Sequence, residues 1–128
     1  MRSMAGEQGA PVRVARIYGA AGDTEGARIL VDRLWPRGVS KVAAALDEWC
    51  RAVAPSNELR QWYGHDPDRY GEFTERYRQE LTEADRAAAL DSLRRWHQRG
   101  PVTLLTATRQ AGISHAAVLA GILRSEPA

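Results

Sequence analysis

The chain has 128 residues, 44% of them hydrophobic and 27% charged, which suits one globular domain with its own core and no metal or disulfide staples. Its formal charge is only +2, with 18 basic residues against 16 acidic ones, so composition does not demand nucleic acid as a partner. There is no apolar run of roughly 18 residues, the length a membrane-spanning helix needs, and the lone Cys50 rules out an internal disulfide and fits a reducing cytoplasm.

Residues 1–11 are rich in Gly, Ala and Ser and lack the apolar stretch of a signal peptide, so they read as a flexible N-terminal tail. A single domain is expected over 12–126. Val12 to Tyr18 reads as a first strand, with Val12, Val14 and Ile17 facing inward. A loop of small residues follows from Gly19 to Gly26. Arg28 to Trp35 reads as a second strand, and its run Ile29-Leu30-Val31 implies burial on both faces. Pro36 and Gly38 stop it.

The pattern then turns helical. Leu46, Trp49, Cys50 and Val53 recur at spacings of three and four, which predicts a helix over Val42 to Ala54. Pro55 ends it. Ser56 is placed to cap a short helix through Tyr63, closed by Gly64. Asp66-Pro67 opens the next helix, a capping acid before a first-turn proline, with Tyr70, Phe73, Tyr77 and Leu81 at helical spacing. Thr82 to Asp85 predicts a capping box for a further helix carrying Leu90, Leu93 and Trp96. Gly100 and Pro101 stop that one. Val102 to Ala107 is the third strand, and Ser114 caps a last helix bearing Val118, Leu119, Ile122 and Leu123. The long helical excursion between the second and third strands implies a crossover, so those strands are expected to be parallel. The fold class is therefore α/β: a mostly parallel sheet of about three to four strands flanked by helices.

Charge collects just beyond the apolar strands. Asp32, Arg33, Trp35 and Arg37 follow the second strand, while Thr106, Thr108 and Arg109 end the third. Parallel neighbours would bring these groups to one rim, where ligands of open α/β sheets bind. His115, at the start of the last helix, adds a helix N-terminus that favours an anion. Arginine presents a planar fork to phosphate and carboxylate oxygens. Arg33, Trp35, Arg37, Thr106, Arg109 and His115 are thus candidate ligand-binding residues. Asp32 and His65 are candidate catalytic residues, an acid–base or orienting carboxylate and a proton carrier. Structural roles compete with each: Asp32 pairing internally, Trp35 lidding the core, His65 packing or capping. Lys41 is the sole lysine, a bias that codon composition would also produce.

The remaining singular residues read as structural. Trp49, Trp62 and Trp96 sit at core spacing, Cys50 is an inert thiol, His97 is solvated or near a helix end, and Glu72, Glu75, Arg76 and Glu80 form a solvated face. Without a glycine-rich phosphate loop, an H-E-x-x-H pattern or paired cysteines, no metal is expected and no cofactor is indicated.

The blocks Leu30-Val31-Asp32-Arg33-Leu34-Trp35-Pro36-Arg37-Gly38, Leu46-Asp47-Glu48-Trp49, Ala54-Pro55-Ser56 with Leu59-Arg60, and Gly64-His65-Asp66-Pro67 resemble the YeaO-like branch of domain of unknown function 488. The resemblance runs from about Arg16 to Leu123. It implies a small bacterial cytoplasmic protein and no established reaction. It also implies an arginine-aspartate pair and a later histidine-asparagine pair after the last strand. Here Arg109 is followed by Gln110, and Ile113-Ser114 stand in place of the second pair. Two functions compete: binding or acting on a small anionic, phosphate- or nucleotide-like ligand at the carboxyl edge of the sheet, or a non-catalytic module binding nucleic acid or protein through Arg94, Arg95 and Arg99.

Overall fold

The structure, a computed structural model, describes residues 10–18 and 26–126. Most of the expected tail and most of the Gly19 to Gly26 loop lie outside those residues. Four strands form one sheet: β1 (Val12–Arg16), β2 (Ala27–Leu30), β3 (Glu48–Trp49) and β4 (Val102–Thr106). Their spatial order is β1-β4-β2-β3, and every pairing is parallel. The parallel relation expected of the second and third predicted strands is therefore met by β2 and β4. β4 is buried throughout, because it has a neighbour on each side and apolar matter on each face.

Among the described residues, five α-helices accompany the sheet: α1 (Lys41–Ala44), α2 (Asn57–Tyr63), α3 (Tyr70–Glu80), α4 (Ala84–Arg99) and α5 (His115–Ser125). No helix among the described residues is long and apolar enough to cross a membrane. Alternate strand residues feed two cores. Val12, Ile29, Val31, Val102 and Leu104 join the larger one, which α2 to α5 cover. Ile17, Leu30 and Leu105 join a smaller one, covered by Trp35, Val39, Ala44, Leu46 and Trp49. In the large core Phe73 stacks on Tyr63 at 4.2 Å and on Tyr77 at 5.8 Å. Such ring pairs add about 0.5–1.5 kcal/mol each beyond the area they bury. Tyr77 is fully buried and donates its hydroxyl to Val53 O at 2.5 Å. Burial, chiefly, holds its phenol well above the usual tyrosine range.

The helix expected over Val42 to Ala54 is not formed. Only Lys41–Ala44 is helical; Ala45 turns into the left-handed region, Glu48–Trp49 becomes the edge strand β3, and Arg51–Val53 makes one 3-10 turn. The physical cause lies on β2. The buried Arg28 side chain donates to the carbonyls of Ala44 and Ala45, at 2.8–3.2 Å. Asp47 and Arg28 then exchange two bonds of 2.8 Å, one through the Asp47 carboxylate and one through its backbone N–H. Those bonds draw the chain alongside β2 and out of helix.

Other local expectations divide. Ser56 caps α2 by accepting from Leu59 N at 3.1 Å, and Ser114 caps α5. Thr82 makes no capping box: its hydroxyl donates to Gln79 O, and Glu83 stands at the N-cap of α4 without a side-chain capping bond. Glu80 is not on a solvated face, because its carboxylate accepts from the Ser56 N–H and hydroxyl. Trp62 and Trp96 pack against the large core and Trp49 against the small one, all three partly exposed. His97 is half-buried, its Nε2 2.8 Å from Ala10 O. Cys50 is buried beside the Glu48 charge; burial and that charge push its thiol up to about 12, which disfavours the reactive thiolate.

Candidate functional site

The carboxyl ends of β2 and β4 open into a cleft of about 520 Å³. Val31 continues the β2 pairing by donating to Leu105 O at 3.1 Å, which carries Asp32 to the rim beside Thr106. Asp32, Arg33, Trp35, Arg37, His65, Thr106 and His115 all line the cleft. The sequence therefore brings together seven of its candidate residues. Arg109 is exposed and does not line it. Arg109 sits at a bend just past β4, so a position next to a strand end did not by itself bring its side chain into the cleft. Arg60 and Gln61 of α2 also line the cleft. Sequence reasoning passed over both; the available signal was their place on the helix whose inner face bears Tyr63 and which leads to His65.

Asp32 is the knot of the rim. Its Oδ1 accepts from the Thr106 hydroxyl at 2.7 Å and lies 3.3 Å from His115 Nε2; its Oδ2 accepts from Ala107 N at 2.8 Å. Burial opposes its charge, but the His115 bond and charge, the Ala107 N–H and the Thr106 hydroxyl outweigh that and hold the carboxyl below its ordinary value. His115 Nε2 is also 3.0 Å from Val31 O. Both neighbours of that nitrogen are acceptors, so Nε2 carries the proton. His115, the first residue of α5, is thus spent on Asp32, which ties β2, β4 and α5 together.

The aromatic groups are anchored from within. Trp35 donates its indole N–H to Val39 O at 2.6 Å, and its ring meets Trp49 edge-on at 5.3 Å. Tyr63 donates its hydroxyl to Ile113 O at 2.5 Å. Trp35 is therefore part core lid and part cleft wall.

The arginines are less committed. The guanidinium groups of Arg33 and Arg37 make no hydrogen bond or ion pair among the described residues; only the Arg37 carbonyl is used, accepting from the Tyr18 hydroxyl at 3.2 Å. Arg33 Nε is the one buried side-chain polar atom without a partner among the described residues. Arg60 donates to Asn57 Oδ1 at 3.0 Å.

His65 is exposed, with its Nε2 3.5 Å from the Thr108 hydroxyl and its ring 5.6 Å from that of Tyr63. It follows Gly64, and both have positive φ, 53° and 56°. A side chain in that region costs about 1–2 kcal/mol, and glycine does not incur that cost. A His65→Gly variant is accordingly expected to melt at or slightly above the parent temperature, a gain of about 0.5 kcal/mol after the added unfolded-state entropy. A clear fall in melting temperature would mean that the imidazole supports the fold.

The comparisons with known proteins agree with one another. Residues 11–128 match the family model described as "Inactive DUF488-N3 subclade". An uncharacterised protein of Mycobacterium tuberculosis is 50% identical over 112 residues, covering 88% of this chain and 92% of its own. The uncharacterised protein YeaO of Escherichia coli is 40% identical over 114 residues, covering 89% and 97%. No solved structure matches. With its blocks around Asp32, Trp49 and His65 in place and the family match running almost end to end, the chain belongs to the YeaO-like branch of domain of unknown function 488.

Proposed function

We propose that the cleft binds a small ligand through an oxyanion, phosphate- or nucleotide-like, and holds it without transforming it. One observation carries the reading: Arg33 and Arg37 bring guanidinium groups unpaired among the described residues to the same cleft, and Arg33 Nε is buried with no partner there. A buried unsatisfied donor costs about 1–3 kcal/mol, which an acceptor oxygen on a ligand would recover.

Catalysis by Asp32 is disfavoured by its own surroundings. Its oxygens already face three donors, and its lowered pKa makes it a weak base at neutral pH. The subclade's description as inactive is in keeping with this. So is the presence of Gln110, Ile113 and Ser114 where the family resemblance leads one to expect aspartate and histidine-asparagine. The nucleic-acid alternative has less support, because Arg94 is committed to Glu126 and Asp91, and Arg99 lies over the Trp96 ring. A cytoplasmic setting fits the lone buried thiol of Cys50.

Titration calorimetry with inorganic phosphate and nucleotides tests the reading on the parent, Arg33→Ala and Arg37→Ala. Each variant should lose roughly tenfold or more in affinity, the size of a charge-assisted hydrogen bond. Arg37→Ala should keep its melting temperature, since exposed substitutions stay within about 0.5 kcal/mol. Equal affinity in all three proteins, or no binding by the parent, would remove the anion site.

A further inference from the structure

The aromatic wall of the cleft narrows the ligand class, on the premise that the cleft is an anion site. Trp35, Tyr63 and Phe73 line it together with the arginines. The indole N–H and the Tyr63 hydroxyl are spent on Val39 O and Ile113 O. Trp35, partly exposed, therefore presents carbon surface to the cleft with no free donor, backed by the buried rings of Tyr63 and Phe73. Phe73 and Tyr63 are stacked at 4.2 Å with planes only 14° apart, both buried, so this wall is rigid before any ligand arrives. Binding against it freezes few additional rotors.

A bare phosphate or a sugar phosphate would satisfy the arginines and leave the partly exposed Trp35 ring without a partner on its cleft side. The volume argues likewise, since about 520 Å³ falls in the range of pockets that enclose whole organic ligands. Two unpartnered guanidinium groups match a single phosphoryl group. The Asp32 carboxylate in the same cleft opposes a longer chain of phosphates. Gln61, also lining the cleft, offers a donor and an acceptor together, as the edge of a nucleobase requires.

We propose that the occupant is a nucleoside monophosphate, with its phosphate on Arg33 and Arg37 and its base against Trp35. Stacking on aromatic side chains tolerates any base and adds affinity that the sugar phosphate lacks.

The test is titration calorimetry on the full chain with adenosine, guanosine, cytidine and uridine monophosphate, ribose 5-phosphate and inorganic phosphate. At least one nucleoside monophosphate should bind roughly tenfold or more tightly than ribose 5-phosphate, the scale expected of one stacked base. Trp35→Leu should erase that ratio while ribose 5-phosphate affinity is kept; Trp35→Phe should preserve it. If Trp35→Leu does not fold, the ratio in the parent and in Trp35→Phe decides. A smaller ratio in the parent, with ribose 5-phosphate still bound, overturns this proposal and leaves the anion site standing. Failure of every probe to bind overturns both.

Discussion

Replacing Gly26 with alanine is expected to cost about 3 kcal/mol or more, among the larger effects a single substitution produces. Two causes act together. Gly26 has φ +68°, and an added Cβ would lie 2.0 Å from Pro101 O, 2.5 Å from Pro101 C and 2.8 Å from Pro101 Cβ. The obstacle is backbone, held by a proline whose own φ is fixed. The same carbonyl accepts from Ala27 N at 3.0 Å beside the β2–β4 ladder. Moving it aside would break that bond. Gly38 is the control: its φ is +78°, but a Cβ there meets nothing within 4 Å. Gly38→Ala should lose only the conformational cost, about 1–2 kcal/mol. Denaturant unfolding of the two variants side by side measures the difference. Equal midpoints would show that the Gly26–Pro101 approach is looser than described.

Removing the Asp32 carboxylate is the second large effect. Asp32→Ala strands the Thr106 hydroxyl and the Ala107 N–H and leaves the His115 N–H only Val31 O, at a rim where the Asp32 and His115 side chains are 18% and 13% exposed. Unsatisfied buried donors cost about 1–3 kcal/mol each, and partial rehydration brings the expected total to about 3 kcal/mol. Asp32→Asn should fall between, since an amide has one acceptor oxygen and sets N–H against N–H on its other side. The pH dependence follows from the direction of the shift. The folded pKa of Asp32 lies below the ordinary carboxylate range. Its contribution is therefore present above the unfolded value and is lost as pH falls through the folded one. The gap between parent and Asp32→Asn, read from denaturant midpoints, should be full at neutral pH and shrink in acid below about pH 4. A gap constant down to pH 3 would mean that the charge of Asp32 does not stabilise the fold.

These residues show why part of the molecule was legible in sequence. β1, β2 and β4 announce themselves by apolar runs with turn residues beyond them, and Ser56, Asp66 and Ser114 cap locally. The rim followed, because charge just past buried strands has few places to go. The 42–54 segment misled because its spacing mimics a helix. Leu46 and Trp49 in fact serve the small core while Cys50 and Val53 serve the large one, so the chain passes the sheet edge and feeds both faces. The bonds that bend it come from Arg28, far away in sequence, and periodicity carries no record of a distant donor. Arg60 and Gln61 escaped for a related reason: a polar residue beside a helix's apolar face looks solvated until another element walls the space in front of it.

The order β1-β4-β2-β3 also bears on how the protein comes into being. β1 and β2 never touch as strands; each pairs with β4, so Val12 and Ala27 both take Val102 as partner. During synthesis both strands leave the ribosome well before the segment that will join them. Two apolar ribbons must then wait, unpaired along those edges, while the helical excursion is made. Closing such distant pairs is slow, and exposed strand edges invite the wrong neighbour. In a growing chain the sheet has no centre until its last strand arrives.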